Sequence, residues 1–197
     1  MIFLPKNGFM EAKFCRQRFY SSQIGCLLET LSDRGLSKCR SIGLYTAFAY
    51  VVNSVPNAVL VSNTKKLIPH MVAGVDVLAS ESRRDTRPVE ALIDTLILMI
   101  HSSRDDVVDH GDTLLAVLCG LLKPSVPISI RALSLTSIRR LAECFPHSIM
   151  YPQRMEILGT LTQCLDDDSR RVRSEAAKCR SDWLEKYASK GSIVIGN

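Results

Sequence analysis

LTQCLDDDSRRVRSEAAKCRSDWLEKY, residues 161–187, carries the punctuation of two helices and the turn between them. The first apolar stretch stops at Leu165, an acidic run fills 166–168, and a second helix opens with Arg171-Val172-Arg173. Along that second helix Val172, Ala176, Cys179, Trp183 and Tyr187 fall at spacings of 4, 3, 4 and 4, the stripe that one face of an α-helix requires. Asp168 or Ser169 suits the N-cap, where a side-chain oxygen accepts from orphan N–H groups. The acidic run also sits well at the positive end of the helix dipole.

The same grammar recurs upstream. Arg131 after Ile130, Glu90 after Val89 and Arg40 after Cys39 open earlier helices at offsets of 42, 41 and 50 residues. Prolines give a second register: Pro56 and Pro146 lie 90 residues apart, Arg40 and Arg131 lie 91 apart. A helix pair repeating about every 40–47 residues marks a HEAT/armadillo solenoid. Four pairs follow: 21–33 with 37–55, 63–80 with 88–102, 112–123 with 127–145, and 152–165 with 169–187. Gly35 supplies the first turn, Pro88 fits a first helical turn, and Ile130, Ser134, Ile138, Leu141 and Phe145 repeat the inward stripe. The expected architecture is all-α, a HEAT/ARM-type α-solenoid of about four helix pairs over 21–187. Residues 1–20 read as an irregular N-terminal segment or the remnant of a preceding repeat, and 188–197 as a tail. A terminal repeat normally needs a polar outer face, and FCRQRFYSSQIGCLL (14–28) is too apolar for one, so the chain reads as a piece of a longer protein.

Composition agrees with helix packing. The chain has 197 residues, 46% apolar but only 6% aromatic, which makes a core of Leu, Val, Ile and Ala. Net charge is +5, placed unevenly: +4 over 1–55, −2 over 56–125 and +3 over 126–197. Such ends meet nucleic acid or acidic partners, or simply form solvated helix faces. The cysteines at 15, 26, 39, 119, 144, 164 and 179 are odd in number, show no disulfide spacing and read as reduced, buried thiols. MIFLPKNGFMEAKF is not a secretory signal, and the uncharged 24 residues 41–64 are broken by Asn53, Pro56, Asn57 and Asn63. No membrane segment is expected.

Nothing in the sequence reads as chemistry. Phosphate-loop, dinucleotide, nucleophile-elbow and zincin motifs are absent. Cys144 and His147 make one C-x-x-H; Asp105, Asp106, Asp109, His110 and Asp112 cluster in RDDVVDHGD (104–112). Neither supplies four ligands in closed geometry, and an acidic loop capping the next helix accounts for the second. No catalytic, cofactor or metal residue is expected. Basic pairs at Lys65-Lys66, Arg139-Arg140 and Arg170-Arg171 lack interleaved aromatics, so base recognition is not expected.

Three stretches carry a family resemblance: KFCRQRFY (13–20), NTKKLIPHMVAGVDVL (63–78) and IMYPQRMEILGTLTQCLDDDSRRVRSEAAKCRSDW (149–183). The last is the most specific, with Leu165, Asp166 and Asp167, then Val172, Arg173, Glu175 and Ala176, then Trp183. They resemble the C-terminal HEAT domain of the large adaptor of the cytosolic iron–sulfur assembly (CIA) targeting complex. That family is also described as linked to nucleotide excision repair and transcription factor IIH. The resemblance covers roughly 13–187 and is least good around Pro88 and 104–112. It implies a scaffold that docks the other subunits of the targeting complex, and through them apo iron–sulfur proteins of DNA replication and repair. It implies no enzyme, no cluster of its own, no direct nucleic acid, and a place in cytoplasm and nucleus. The rival reading is an importin- or condensin-like HEAT segment that carries cargo or contacts DNA.

Charge density around a single Trp places the expected docking surface on the last two units, at Arg154, Arg170, Arg173, Arg180 and Trp183. For Arg173 and Trp183 the competing reading is structural. In helix-pair repeats an Asp of the turn often pairs with a helix Arg, here Asp167 or Asp168 with Arg131 or Arg173; solvated charge is the alternative.

Overall fold

The structure, a computed structural model, describes residues 8–33, 35–80, 85–102 and 104–188, with side chains from 18 to 187 except at 104. Among these residues there are helices and turns and no strand. The order is α1 (Gly8–Leu31), α2 (Lys38–Ser54), α3 (Asn57–Val61), α4 (Thr64–Ala79), α5 (Arg87–Ser102), α6 (Arg104–Val108), α7 (Gly111–Gly120), α8 (Ile128–Cys144), α9 (His147–Met150), α10 (Arg154–Cys164) and α11 (Arg170–Ala188). Helices α2, α5, α8 and α11 stack each on the next, and α1, α4, α7 and α10 each lie against their partner in that stack. This is the all-α solenoid the repeat spacing predicts.

Position in the stack explains each helix's apolar pattern. Helix α5 packs on both α2 and α8, so two of its faces are covered and Val89, Leu92, Ile93, Leu96, Met99 and Ile100 are all buried. An almost unbroken apolar run is what a helix covered on two sides needs. No helix among the described residues is long and apolar enough to cross a membrane. Helix α11 has one neighbour in the stack, α8, with α10 beside it, and keeps a single stripe. Its Val172, Ala176, Cys179, Trp183 and Tyr187 are all buried, as are Ile130, Ser134, Ile138, Leu141 and Phe145 of α8.

The prolines act as punctuation. Val55 and Phe145, each before a proline, leave the helical region at ψ 145° and ψ 152°. Steric conflict with the proline ring enforces this. Each proline then starts a helix of four or five residues, α3 after Pro56 and α9 after Pro146. With α6 these short helices follow α2, α5 and α8 in turn, a third element per unit that the spacing did not reveal. Each plants one buried side chain in the core, Leu60, Val107 and Met150. A five-residue helix shows barely one turn, too little for periodicity to register. The supposed acidic loop 104–112 is therefore mostly α6, followed by a turn into α7.

The first helix begins at Gly8, well before residue 21, so 8–20 are helical. Of the expected tail, 189–197 lie outside the described residues.

Several buried polar atoms lack a hydrogen-bond partner, and Ser134 carries the simplest of them. Ser134 is fully buried on α8 and its Oγ has no hydrogen-bond partner. An unpaired buried hydroxyl is costly, and alanine is the better helix former. Ser134→Ala is expected to stabilise the chain by about 1 kcal/mol, read from the midpoint shift in urea at constant slope.

Candidate docking surface

The turn between α10 and α11 is organised by Asp167. Its Oδ2 lies 3.1 Å from Arg131 Nη1, and Arg131 Nη2 donates to its Oδ1 at 3.2 Å. The two side chains are 7% and 6% exposed, so this is a buried, two-pronged ion pair joining the third unit to the fourth. Asp167 Oδ1 also accepts the Ser169 N–H at 2.8 Å, which closes the turn before α11. Arg173 Nη1 donates to the Asp167 and Asp168 carbonyls at 2.7 and 3.0 Å. The ladder is thus Arg131–Asp167, with Arg173 holding the same turn by its backbone. Asp167 rather than Asp168 or Ser169 supplies the side-chain oxygen there.

The five expected docking residues do not form one patch. Trp183 is fully buried; its Nε1 donates to the Ile138 carbonyl at 3.3 Å and its ring tilts against Tyr187 at 4.8 Å. It is corrected to a core residue, because an indole with no exposed surface meets no partner while α11 stays packed on α8. Arg173 is exposed but engaged with the turn. Arg180 is half-buried and its Nε donates to Thr162 Oγ1 at 3.3 Å, tying α11 to α10. Arg170 and Arg171 are exposed and make no ion pair among the described residues.

Arg154 lies at the opposite end of α11. Its guanidinium sits 3.6 Å above the Tyr151 ring and its Nη1 donates to the Tyr151 carbonyl at 2.9 Å. From Tyr151 a row of rings runs inward: His147 at 4.6 Å, then Tyr187 at 5.3 Å, then Trp183. Tyr187 is 17 residues from Arg170, about 25 Å along the helix. Burial pushes the Tyr187 phenol up to about 12. Lys186, beside it, donates to the Ala142, Glu143 and Phe145 carbonyls and so caps the C-terminus of α8. Arg139 and Asp182 pair at 3.7 Å across the same α8–α11 seam. Sequence spacing alone did not indicate these cross-unit contacts, since each joins residues forty or more positions apart.

Members of the two metal candidates have other contacts. Asp106 pairs with Lys65 at 3.2 Å, and Asp112 accepts from Gln153 Nε2. Cys144 faces His101 across two units, while His147 stacks between Tyr151 and Tyr187. Among the described residues no group of three or more His, Cys, Asp or Glu is placed to hold a metal. Cys164 and Cys179 are buried and Cys119 half-buried, and burial raises all three thiols, Cys119 to about 11. Cys26 and Cys39 are exposed, a departure from the buried-thiol reading.

No family model matches the chain. Relatives do. It is 30% identical over 169 residues, 85% of its length, to the MMS19 nucleotide excision repair protein homolog of Arabidopsis thaliana. The chain belongs to the MMS19 family. The MMS19 homolog of Dictyostelium discoideum is 21% identical over 180 residues, and the DNA repair/transcription protein mms19 of Schizosaccharomyces pombe 26% over 184. Each match covers 85–90% of this chain but only 15–17% of the relative, so the chain spans about a sixth of the length of the MMS19 proteins it matches. Their names tie those relatives to nucleotide excision repair, DNA repair and transcription, and name no enzymatic activity. Similarity running over all four units matches a fold in which no single unit closes its own core.

Proposed function

We propose that this chain is a protein-binding scaffold of cytosolic iron–sulfur cluster assembly. It docks the subunits that deliver clusters to apo-proteins of DNA replication and repair, and works in cytoplasm and nucleus without catalysis or a cofactor of its own. The observation that carries the reading is MMS19 family membership over 85% of the chain, joined to the family resemblance of its closing repeat. A solenoid that buries its one tryptophan and spends its buried Arg131–Asp167 pair on an inter-unit tie offers surface rather than chemistry. The docking surface that remains is the outer edge of α10 and α11, with Arg170 and Arg180 as its contacts and Arg171 beside them.

Charge reversal tests the surface. Arg170→Glu with Arg180→Glu is expected to cut capture of the assembly subunits from a cell extract by about tenfold, as loss of hot-spot arginines does. The melting temperature is followed in parallel because Arg180 also reaches Thr162. Undiminished capture by a folded variant removes this edge from the interface. A steep loss of duplex-DNA binding with added salt in the unmodified chain would instead favour the cargo or DNA-contacting reading.

A further inference from the structure

Helices α5 and α8 occupy equivalent places in successive units, so their last turns lie side by side. His101 closes α5 and Cys144 closes α8, and His101 Nδ1 is 3.9 Å from Cys144 Sγ across 43 residues, one repeat length. His101 is exposed and Cys144 half-buried, so small molecules reach the pair. Arg140, one turn back on α8, adds positive charge on the same side, partly answered by Glu143 at 2.7 Å. A thiol beside an imidazole and a guanidinium at partial exposure is the microenvironment in which cysteines become nucleophiles.

We propose that Cys144 is a modification site of this chain, a thiol that the His101 imidazole activates toward soft electrophiles and small disulfides. With its proton on Nε2, His101 accepts the thiol proton at Nδ1. The Cys144 sulfur then attacks one sulfur of the disulfide. A new S–S bond forms as the old one breaks, and the departing thiolate takes the proton back from the imidazolium. With an alkyl halide a C–S bond forms and halide leaves. Neither reaction needs a further oxidant. The other described thiols divide into Cys164 and Cys179, covered by packing, Cys119, half-buried with its thiol raised by burial, and Cys26 and Cys39, exposed; none of them has an imidazole partner among the described residues. The proposal is independent of the docking role.

The test is the full chain exposed briefly to iodoacetamide at about pH 7, and separately to oxidised glutathione, with labelling read at each cysteine by peptide mass spectrometry. Cys144 is expected to label faster than Cys26 and Cys39 despite its lower exposure, and to be the first site of mixed disulfide. His101→Gln is expected to slow Cys144 about tenfold and leave Cys26 and Cys39 unchanged, which also reports an intact fold. Cys144 labelling no faster than the two exposed thiols overturns the site. Fast labelling that His101→Gln leaves untouched overturns the activating pair.

Discussion

Trp183→Ala is expected to cost about 3–5 kcal/mol of folding stability, a large share of the roughly 5–15 kcal/mol that holds a domain together. The indole is the largest fully buried side chain, wedged between α8 and Tyr187 on the helix that packs most extensively on α8. Removing it leaves a cavity in the α8–α11 seam between the third and fourth units. Trp183→Phe keeps a ring against Tyr187 and is expected to lose about half as much or less. Urea titrations followed by far-ultraviolet circular dichroism measure both. Trp183 is the single tryptophan, so its own emission reports the seam in the unmodified chain and should shift to the red as α11 detaches. If Trp183→Ala unfolds like the unmodified chain while partner capture falls, the indole is a surface contact and the core assignment fails.

Asp167→Ala is the second large loss, about 3–5 kcal/mol, because it strands the Arg131 guanidinium at 7% exposure without its counter-ion. Arg131 Nε already lacks a partner, so little else is at hand to answer the charge. The turn also loses the Ser169 N–H bond. Replacing both charges, Arg131→Met with Asp167→Leu, is expected to recover most of that loss, since the pair's desolvation cost disappears with it. Asp168→Asn, on an exposed neighbour, should stay within about 0.5 kcal/mol of the unmodified chain. A double variant no better than Asp167→Ala would show that the turn, and not the stranded charge, carries the energy.

The helix pairs were legible because their signals are local. A stripe such as Val172, Ala176, Cys179, Trp183 and Tyr187 lies within one helix, and the turn residues Gly35, Pro56 and Pro146 act on their neighbours. The three short helices escaped because each offers one buried residue and no period. Docking and structural residues could not be told apart in the sequence for another reason. Charge density along the chain put Trp183 and Arg173 in one group with Arg170, and the helix turns these side chains in different directions. Trp183 shares the inward face with Val172 and Cys179, Arg173 folds back onto the Asp167 and Asp168 carbonyls, and Arg154 sits at the far end beside Tyr151.

By itself the sequence determined that this chain is a stack of helix pairs with a roughly forty-residue period, because hydrophobic stripes and turn residues are read along the chain. Its family likeness lies in the same linear record. Only the tertiary structure decided which charges are buried ties and which are free surface. Arg131 with Asp167, Arg139 with Asp182 and Cys144 with His101 are brought together by stacking across 36 to 43 residues, and no local rule sets such distances. An arginine looks the same in a sequence whether it spans a buried seam or faces water, and burial alone makes one a cost to break and the other a contact to offer.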